Sequence, residues 1–564
     1  MNTETALRYQ KLTITDIVTK PDRKLALTNI NIAYAAFLVG TLCGLLQVFI
    51  RNDAIQLPAW LDYYQILTAH GVLLALVFTT YFIFGFFYTG MSKTLGSFSD
   101  NVRMTSWIGF FVMTLGTIIT VIMIVSGEAS VLYTFYAPLQ ANGFFYIGLA
   151  FVVVGTWISG FALIGHYVSW KKRHKGSLSP LFAFMTVTTL ILWIIACLGV
   201  VATVLFQFIP LAFGWVDTIN VGLSRTLFWY FGHPLVYFWL LPAYMAWYLI
   251  VPKLLGVNVF SDSLARLAFI LFLLFSIPVG FHHQAVDPGI DHFWKFLQTV
   301  LTFMVIIPSL MTAFSMFAVF EISGREKGGK GLFGWFTKLP WRDVRFLSLF
   351  LAMLFFIPGG IGGIINASFQ LNEVVHNTLW VVGHFHITVG APVAMTFYGL
   401  TFWLVPYLTG RPFSRLAKKL ALIQVITWSL GMFLMSTAQH VLGLLGAPRR
   451  TAFTEYGGHE AALTWFDGIF SNHVTMAVGG TILFLSAMLL IVIVVISLVG
   501  PKATEEEIVE FPLAESDPSS TPKLLEKWWV WIGIAAFLII AAYAIPIAEL
   551  LHHMESGSRG FRTW

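Results

Sequence analysis

The stretch TLWVVGHFHITVGAPVAMTFYGLTFWLVPY, residues Thr378–Tyr407, runs for 30 residues without Asp, Glu, Lys or Arg, yet it holds two histidines, His384 and His386. That is longer than the roughly 20 apolar residues that cross a ~30 Å hydrocarbon layer as a helix. The stretch therefore reads as a membrane-spanning helix. Ionisable groups in hydrocarbon are expensive, so its two imidazoles read as functional.

The pattern recurs along the chain. Apolar runs centred near residues 38, 76, 115, 153, 193, 238, 272, 307, 355, 391, 430, 483 and 538 predict an all-α, polytopic transmembrane bundle of about 13 helices. Composition agrees: 57% of the 564 residues are hydrophobic and 11% charged, against roughly a quarter charged in a soluble chain. No repeat is evident, so residues 1–564 read as a single membrane-embedded catalytic domain. Residues 501–523, rich in Glu, Pro and Ser, read as a mobile cytoplasmic linker before the last span. The polar first 24 residues and the long first apolar run argue against a cleavable signal peptide.

Short loops alternate in charge. Arg8, Lys11, Lys20, Arg23 and Lys24 precede the first span, Lys171, Lys172, Arg173 and Lys175 follow the fourth, Arg325, Lys327, Lys330 and Lys338 follow the eighth, and Arg411, Arg415, Lys418 and Lys419 follow the tenth. Loops on the other face, such as 127–142 and 207–221, are nearly free of Lys and Arg. The positive-inside tendency then places the N-terminus in the cytoplasm, and an odd number of spans places the C-terminus outside. The net charge of +6 belongs to these scattered loops, which makes nucleic-acid binding a poor reading.

Four further histidines share the setting of the pair at 384 and 386: His70, His233, His282 and His283. Under the predicted orientation all six fall in the outer half of the bilayer. On an α-helix, residues two apart point about 200° away from each other, so His384 and His386 face opposite sides of one helix and can serve two cofactors. An electron-transfer haem takes two axial histidines, and an oxygen-reacting haem takes one with an open face. His70 with one of the tenth-span pair suits the first, and the other member suits the second. Three neutral imidazoles remain, His233, His282 and His283, a donor set that suits copper. Tyr237 lies one helical turn beyond His233 on the same face. Cys43 and Cys197 sit in separate apolar spans and form neither a thiolate metal site nor a haem-attachment motif.

Three strings, WYFGHPLVYFWLLP at Trp229–Pro242, FHHQ at Phe281–Gln284 and VVHNTLWVVGHFH at Val374–His386, resemble subunit I of the haem–copper oxygen reductases. The chain is most similar to the B-type (ba-type) cytochrome oxidases of that family, over nearly its whole length. The resemblance implies two haems and one copper ion: His70 and His386 on the low-spin haem, His384 on the high-spin haem, and His233, His282 and His283 on copper. It further implies a covalent bond between Tyr237 and His233, and haem propionates held by Arg449, Arg450 and His376. Asn372 and Glu373 stand where relatives often carry Asp, which leaves the outer proton acceptor unassigned. Leu235 replaces the Glu of the A-type branch, and Met91–Met104 lacks that branch's acid-bearing motif, so the glutamate-gated proton path is expected to be absent.

Tyr237, Tyr244 and Tyr248 fall on one face of the sixth span, and Ser309, Thr312 and Ser315 descend the eighth. The resemblance implies a proton path through Tyr244, Tyr248, Ser309 and Thr312. The expected activity is that of a cytochrome c oxidase, a terminal oxidase in a prokaryotic plasma membrane that reduces O2 to water and takes up and pumps protons. The expected partners are a subunit II carrying the binuclear copper site that this cysteine-poor chain lacks, small membrane subunits, and cytochrome c as donor. The rivals are a quinol oxidase and a nitric oxide reductase. The latter needs added carboxylates near its metal, and Leu235 and Tyr237 argue against it. A transporter with buried histidines is the non-enzymatic alternative.

Overall fold

Thirteen apolar segments form the bundle in a computed structural model that describes residues 18–452, 460, 471–501, 513–553 and 557–564. Arg8 and Lys11 lie outside the described residues. The spans are α1 Lys20–Arg51, α2 Tyr63–Leu95, α3 Asp100–Val125, α4 Gly143–Arg173, α5 Leu181–Ala212, α6 Val221–Leu255, α7 Asp262–Phe275, α8 His292–Glu326, α9 Val344–Ala367, α10 Leu379–Thr409, α11 Arg415–Leu444, α12 Asn472–Val499 and α13 Trp528–His552. Among the described residues, twelve are long and apolar enough to cross a membrane.

The exception is α7, at 14 residues. The expected seventh span stops early because Pro278 cannot donate a helical N–H and disfavours α geometry in the residue before it. The chain then tightens into a short 3₁₀ turn, Gly280–Gln284, so His282 and His283 sit on a turn and not on a helix end.

Burial sorts the spans. The most apolar windows of α6, α10 and α2 are 89%, 83% and 78% buried, against 61% or less for every other membrane-length helix. These three central helices carry His70, His233, His384 and His386. Two of them widen where an imidazole sits: α2 passes into a π-helical turn at Val72–Phe78, and α10 does so at His386–Gly390, where Ala391 N–H reaches the His386 carbonyl at 3.0 Å. Such turns occur often at functional sites. At the start of α10 the Thr378 hydroxyl accepts from Trp380 N–H, capping the helix two turns before its histidines.

The C-terminal tail folds back onto the face opposite the basic loops. Strand β1 (Leu139–Gln140) pairs with β4 (Phe561–Arg562), and β2 (Thr218–Ile219) pairs with β3 (Ser558–Arg559). On the basic face, residues 502–512 of the expected mobile linker lie outside the described residues. The part from Leu513 onward is packed: Ala514 N–H donates to the Leu249 carbonyl (2.6 Å), Val259 N–H to Glu515 (2.9 Å), and Thr521 Oγ1 to Asp262 (2.9 Å). Just beyond, Glu526 pairs with Arg266 (2.9 Å) and Lys171 (2.6 Å). Arg266 also holds Asp262 at 2.6 Å, so the buried guanidinium is neutralised by two carboxylates.

Candidate metal and cofactor centre

Two cavities flank α10. The first, of about 280 Å³, is lined by His70, His386, Arg449, Arg450 and Trp428 among others. The second, of about 360 Å³, is lined by His233, Tyr237, His282, His283, His376 and His384. Val381, Phe385, Val389 and Val393 border both, so one strip of α10 is the wall between them. Phe385 stands in that wall between the two histidines, which open to opposite sides.

In the first cavity, the rings of His70 and His386 face each other with centroids 6.4 Å apart and planes 29° apart. Two imidazoles on one metal, with bonds of ~2.0 Å, need a centroid separation of about 6 Å. Each ring is oriented from behind: His70 Nδ1–H donates to the Gly40 carbonyl and His386 Nδ1–H to the Val382 carbonyl, both at 2.9 Å. The neutral ring then keeps its lone pair on Nε2, as metal-bound histidines require.

In the second cavity, ligand atoms of His233, His282 and His283 lie within 4.8 Å of one another. His233 Nδ1 is 3.1 Å from His283 Nε2. His282 Nδ1–H donates to the Val279 carbonyl at 2.5 Å and lies 3.1 Å from Thr302 Oγ1, which leaves its Nε2 free. The His283 ring stacks on Trp229 at 3.8 Å, fixing its plane. Three imidazole nitrogens this close could hold a metal ion, and with no thiolate in the cluster the donor set is compatible with copper, as with zinc, iron or nickel. His384 projects into the same cavity from α10, its Nδ1 3.2 Å from Thr388 Oγ1. Gly362 on α9 makes room for it: a Cβ there would lie 2.6 Å from His384 Nδ1. The Tyr237 ring sits 5.1 Å from that of His233.

The outer rim is strongly cationic. Arg450 and Arg225 lie over the Tyr136 ring at 4.6 and 4.9 Å. Arg449 donates to Asn377 Oδ1 at 3.0 Å, while its buried Nε has no hydrogen-bond partner. Burial, together with Arg450, lowers Arg449 to about 9. Among the described residues this trio shares one ion pair, Arg225–Asp287 at 3.0 Å. The surplus charge fits anions such as the carboxylates of haem. His376 donates from Nδ1 to Asn372 Oδ1 at 3.0 Å, and its buried Nε2 is unpartnered. Burial, then the neighbouring Arg449, Arg225 and Arg450, hold it down at about 4, so it stays neutral.

Below the second cavity the hydroxyls of α6 and α8 meet. Tyr244 Oη donates to Ser309 Oγ at 3.4 Å and Tyr248 Oη to Thr312 Oγ1 at 3.0 Å, while Ser315 bonds its own helix at Met311. Sequence reasoning passed over Thr302, Thr388 and Gly362. Gln298 was also missed, although a buried polar side chain inside an apolar span was a usable signal.

This geometry defines a bundle of membrane-length helices with histidine-lined cavities, fit to hold metal, on both sides of one helix. Residues 24–482 match the family described as cytochrome c and quinol oxidase polypeptide I, and the chain belongs to that family. It is 39% identical over 559 residues to cytochrome c oxidase subunit 1 of Thermus thermophilus, covering 96% of this chain and 97% of the relative. The corresponding subunit of Bacillus subtilis is 25% identical, over 80% of this chain and 72% of the relative. A haem–copper terminal oxidase dimer seen by cryo-EM superimposes with a TM-score of 0.88 at 36% identity, covering 97% of this chain and 96% of that one. The chain is thus the catalytic subunit I of a haem–copper terminal oxidase, an oxidoreductase of a family that carries haem and copper.

Proposed function

We propose that the chain is a B-type cytochrome c oxidase subunit that binds a low-spin haem between His70 and His386, a high-spin haem on His384, and one copper ion on His233, His282 and His283. The observation that carries this reading is the division of the imidazoles by α10: a facing pair on one side, and three nitrogens within 4.8 Å plus His384 on the other. When bound, the haem and copper supply four-electron reduction of O2 to water, and the protein supplies ligation, a dry pocket and protons.

The roles of the side chains follow from their places. Arg449, Arg450 and the neutral His376 bind the propionates. Tyr237, beside His233, holds a transferable proton at its hydroxyl, and its ring becomes linked to His233 by a carbon–nitrogen bond that replaces one ring C–H and one imidazole N–H, the two electrons and two protons passing to O2, the oxidant this site takes. Tyr248 with Thr312 and Tyr244 with Ser309 relay protons from the basic, cytoplasmic face, and this one path serves both chemistry and pumping. Electrons come from cytochrome c through a partner subunit II with a binuclear copper site, within a prokaryotic plasma membrane. Small membrane subunits complete the assembly.

Quantifying metals together with pyridine extraction of the purified holoenzyme tests the assignment. Two haem irons and three coppers are expected per holoenzyme, one copper on this chain and two in the partner subunit's binuclear site, with one copper alone lost in His283→Asn. Non-haem iron in place of copper would identify a nitric oxide reductase. A neighbouring subunit without copper-ligating cysteines would move the donor from cytochrome c to a quinol.

A further inference from the structure

The turn that presents His282 and His283 is held from an unexpected direction. The two peptide N–H groups just before His282 belong to Gly280 and Phe281. Gly280 N–H donates to Tyr543 Oη at 2.9 Å, and that hydroxyl donates on to the Ile277 carbonyl at 3.4 Å. Phe281 N–H donates to Gln298 Oε1 at 2.8 Å, and Gln298 Nε2 donates to the Ala542 carbonyl at 3.0 Å. Consecutive residues of α13, Ala542 and Tyr543, therefore secure consecutive N–H groups of the turn, one directly and one through α8. The family match ends at residue 482, well before α13 begins.

Packing gives the same result. Tyr230, Ile277, Phe281, Ile290, Ala542 and Tyr543 form a small buried cluster of their own, separate from the main core. Tyr543 is 2% exposed and Gln298 0%. The approach is so close that a Cβ on Gly280 would lie 2.5 Å from Tyr543 Oη and 2.7 Å from the Trp229 carbonyl. At its other end α13 is anchored by Glu526, paired with Arg266 and Lys171, so the helix is fixed before it reaches the turn.

We infer that α13 is a brace for the copper-binding turn, with Tyr543 and Gln298 as positioning residues that set the backbone from which His282 and His283 project. The inference rests on the proposed copper assignment for its functional meaning, and on the hydrogen bonds alone for its structural one. An unpaired buried N–H is costly, so losing the Tyr543 hydroxyl forces the turn to move or open. Groups behind metal ligands typically contribute about 10- to 100-fold in metal affinity or activity.

The test uses the holoenzyme carrying Tyr543→Phe, which keeps the ring and removes the hydroxyl, with Gln298→Met as a second variant releasing Phe281 N–H alone. Phe537→Leu, at a 69% exposed site on the same helix, controls for insertion. Three readouts are taken: amide exchange of the peptide spanning Ile277–Gln284, copper retained per haem during dialysis against EDTA, and the stretching band of carbon monoxide on copper. Expected are faster exchange at Gly280 and Phe281, copper loss accelerated by about 10-fold or more, and a shifted or broadened band, with haem content unchanged. Unaltered exchange in both variants overturns the brace. Faster exchange with copper retention and the carbonyl band both unchanged overturns the positioning role. Wild-type protein without copper would defeat the metal assignment, while the exchange measurement still decides whether α13 secures the turn.

Discussion

At the scale of single residues, the centre depends on imidazoles whose free nitrogen is chosen by what lies behind the ring. His70, His386 and His282 each give Nδ1–H to a main-chain carbonyl, and His384 sets its Nδ1 against Thr388. One residue with little freedom to change is Gly362, against which the His384 ring rests. Gly362→Ala puts a methyl 2.6 Å from His384 Nδ1, and overpacking of this kind costs about 1–3 kcal/mol. At ~1.4 kcal/mol per tenfold, high-spin haem retention should weaken by roughly 5- to 150-fold while the low-spin haem stays. Reduced-minus-oxidised spectra of the variant check this, and an unaltered high-spin haem content would refute it. The histidines were legible in the sequence because an ionisable group in hydrocarbon announces itself. The residues that aim them were not: Gly362, Thr302 and Thr388 are ordinary members of apolar helices, and nothing in their local sequence marks that Gly362 meets the His384 ring from α9, that Thr302 meets His282 on the connecting turn, or that Thr388 meets His384 one turn back on α10.

Among the elements, legibility followed hydropathy. The apolar runs were readable one by one as helices, since a membrane leaves the backbone few alternatives. The widening of α10 at His386 was not, because it is settled by backbone hydrogen bonding that hydropathy does not encode, and the break after α7 was marked by Pro278 and not by hydropathy. What the pairing of elements adds is contact between α6 and α8. The descending hydroxyls of the two helices meet as Tyr244–Ser309 and Tyr248–Thr312. Thr312→Val removes the acceptor of Tyr248 at nearly constant volume, inside a buried seam where water is scarce. If protons travel this way, steady-state oxygen reduction should fall by about 100-fold, with metal content and haem reduction by an artificial donor unchanged. Turnover within twofold of wild type would show that protons enter elsewhere.

For the whole molecule, the consequential asymmetry is that the centre lies toward one face and the basic loops lie on the other. His70 and the pair His384 and His386 follow closely on the starts of α2 and α10, and His282 and His283 occupy the connection from α7 to α8, all at the end where the tail strands β3 and β4 close over β1 and β2. A proton reaching the centre from the basic face crosses much of the membrane, and moving one charge across the full membrane is worth ~2.3 kcal/mol per 100 mV. Orientation is therefore part of the energetics, and it can be measured directly. The native thiols interfere little: Cys197 is buried and Cys43 is half-buried within α1. Arg559→Cys and Lys338→Cys would put exposed thiols on the tail and on the loop between α8 and α9. With the N-terminus cytoplasmic, an impermeant maleimide should label Arg559→Cys in right-side-out vesicles and Lys338→Cys only in inverted ones. The opposite pattern would reverse the direction of proton uptake, because the hydroxyls of α6 and α8 descend toward whichever compartment faces Lys338.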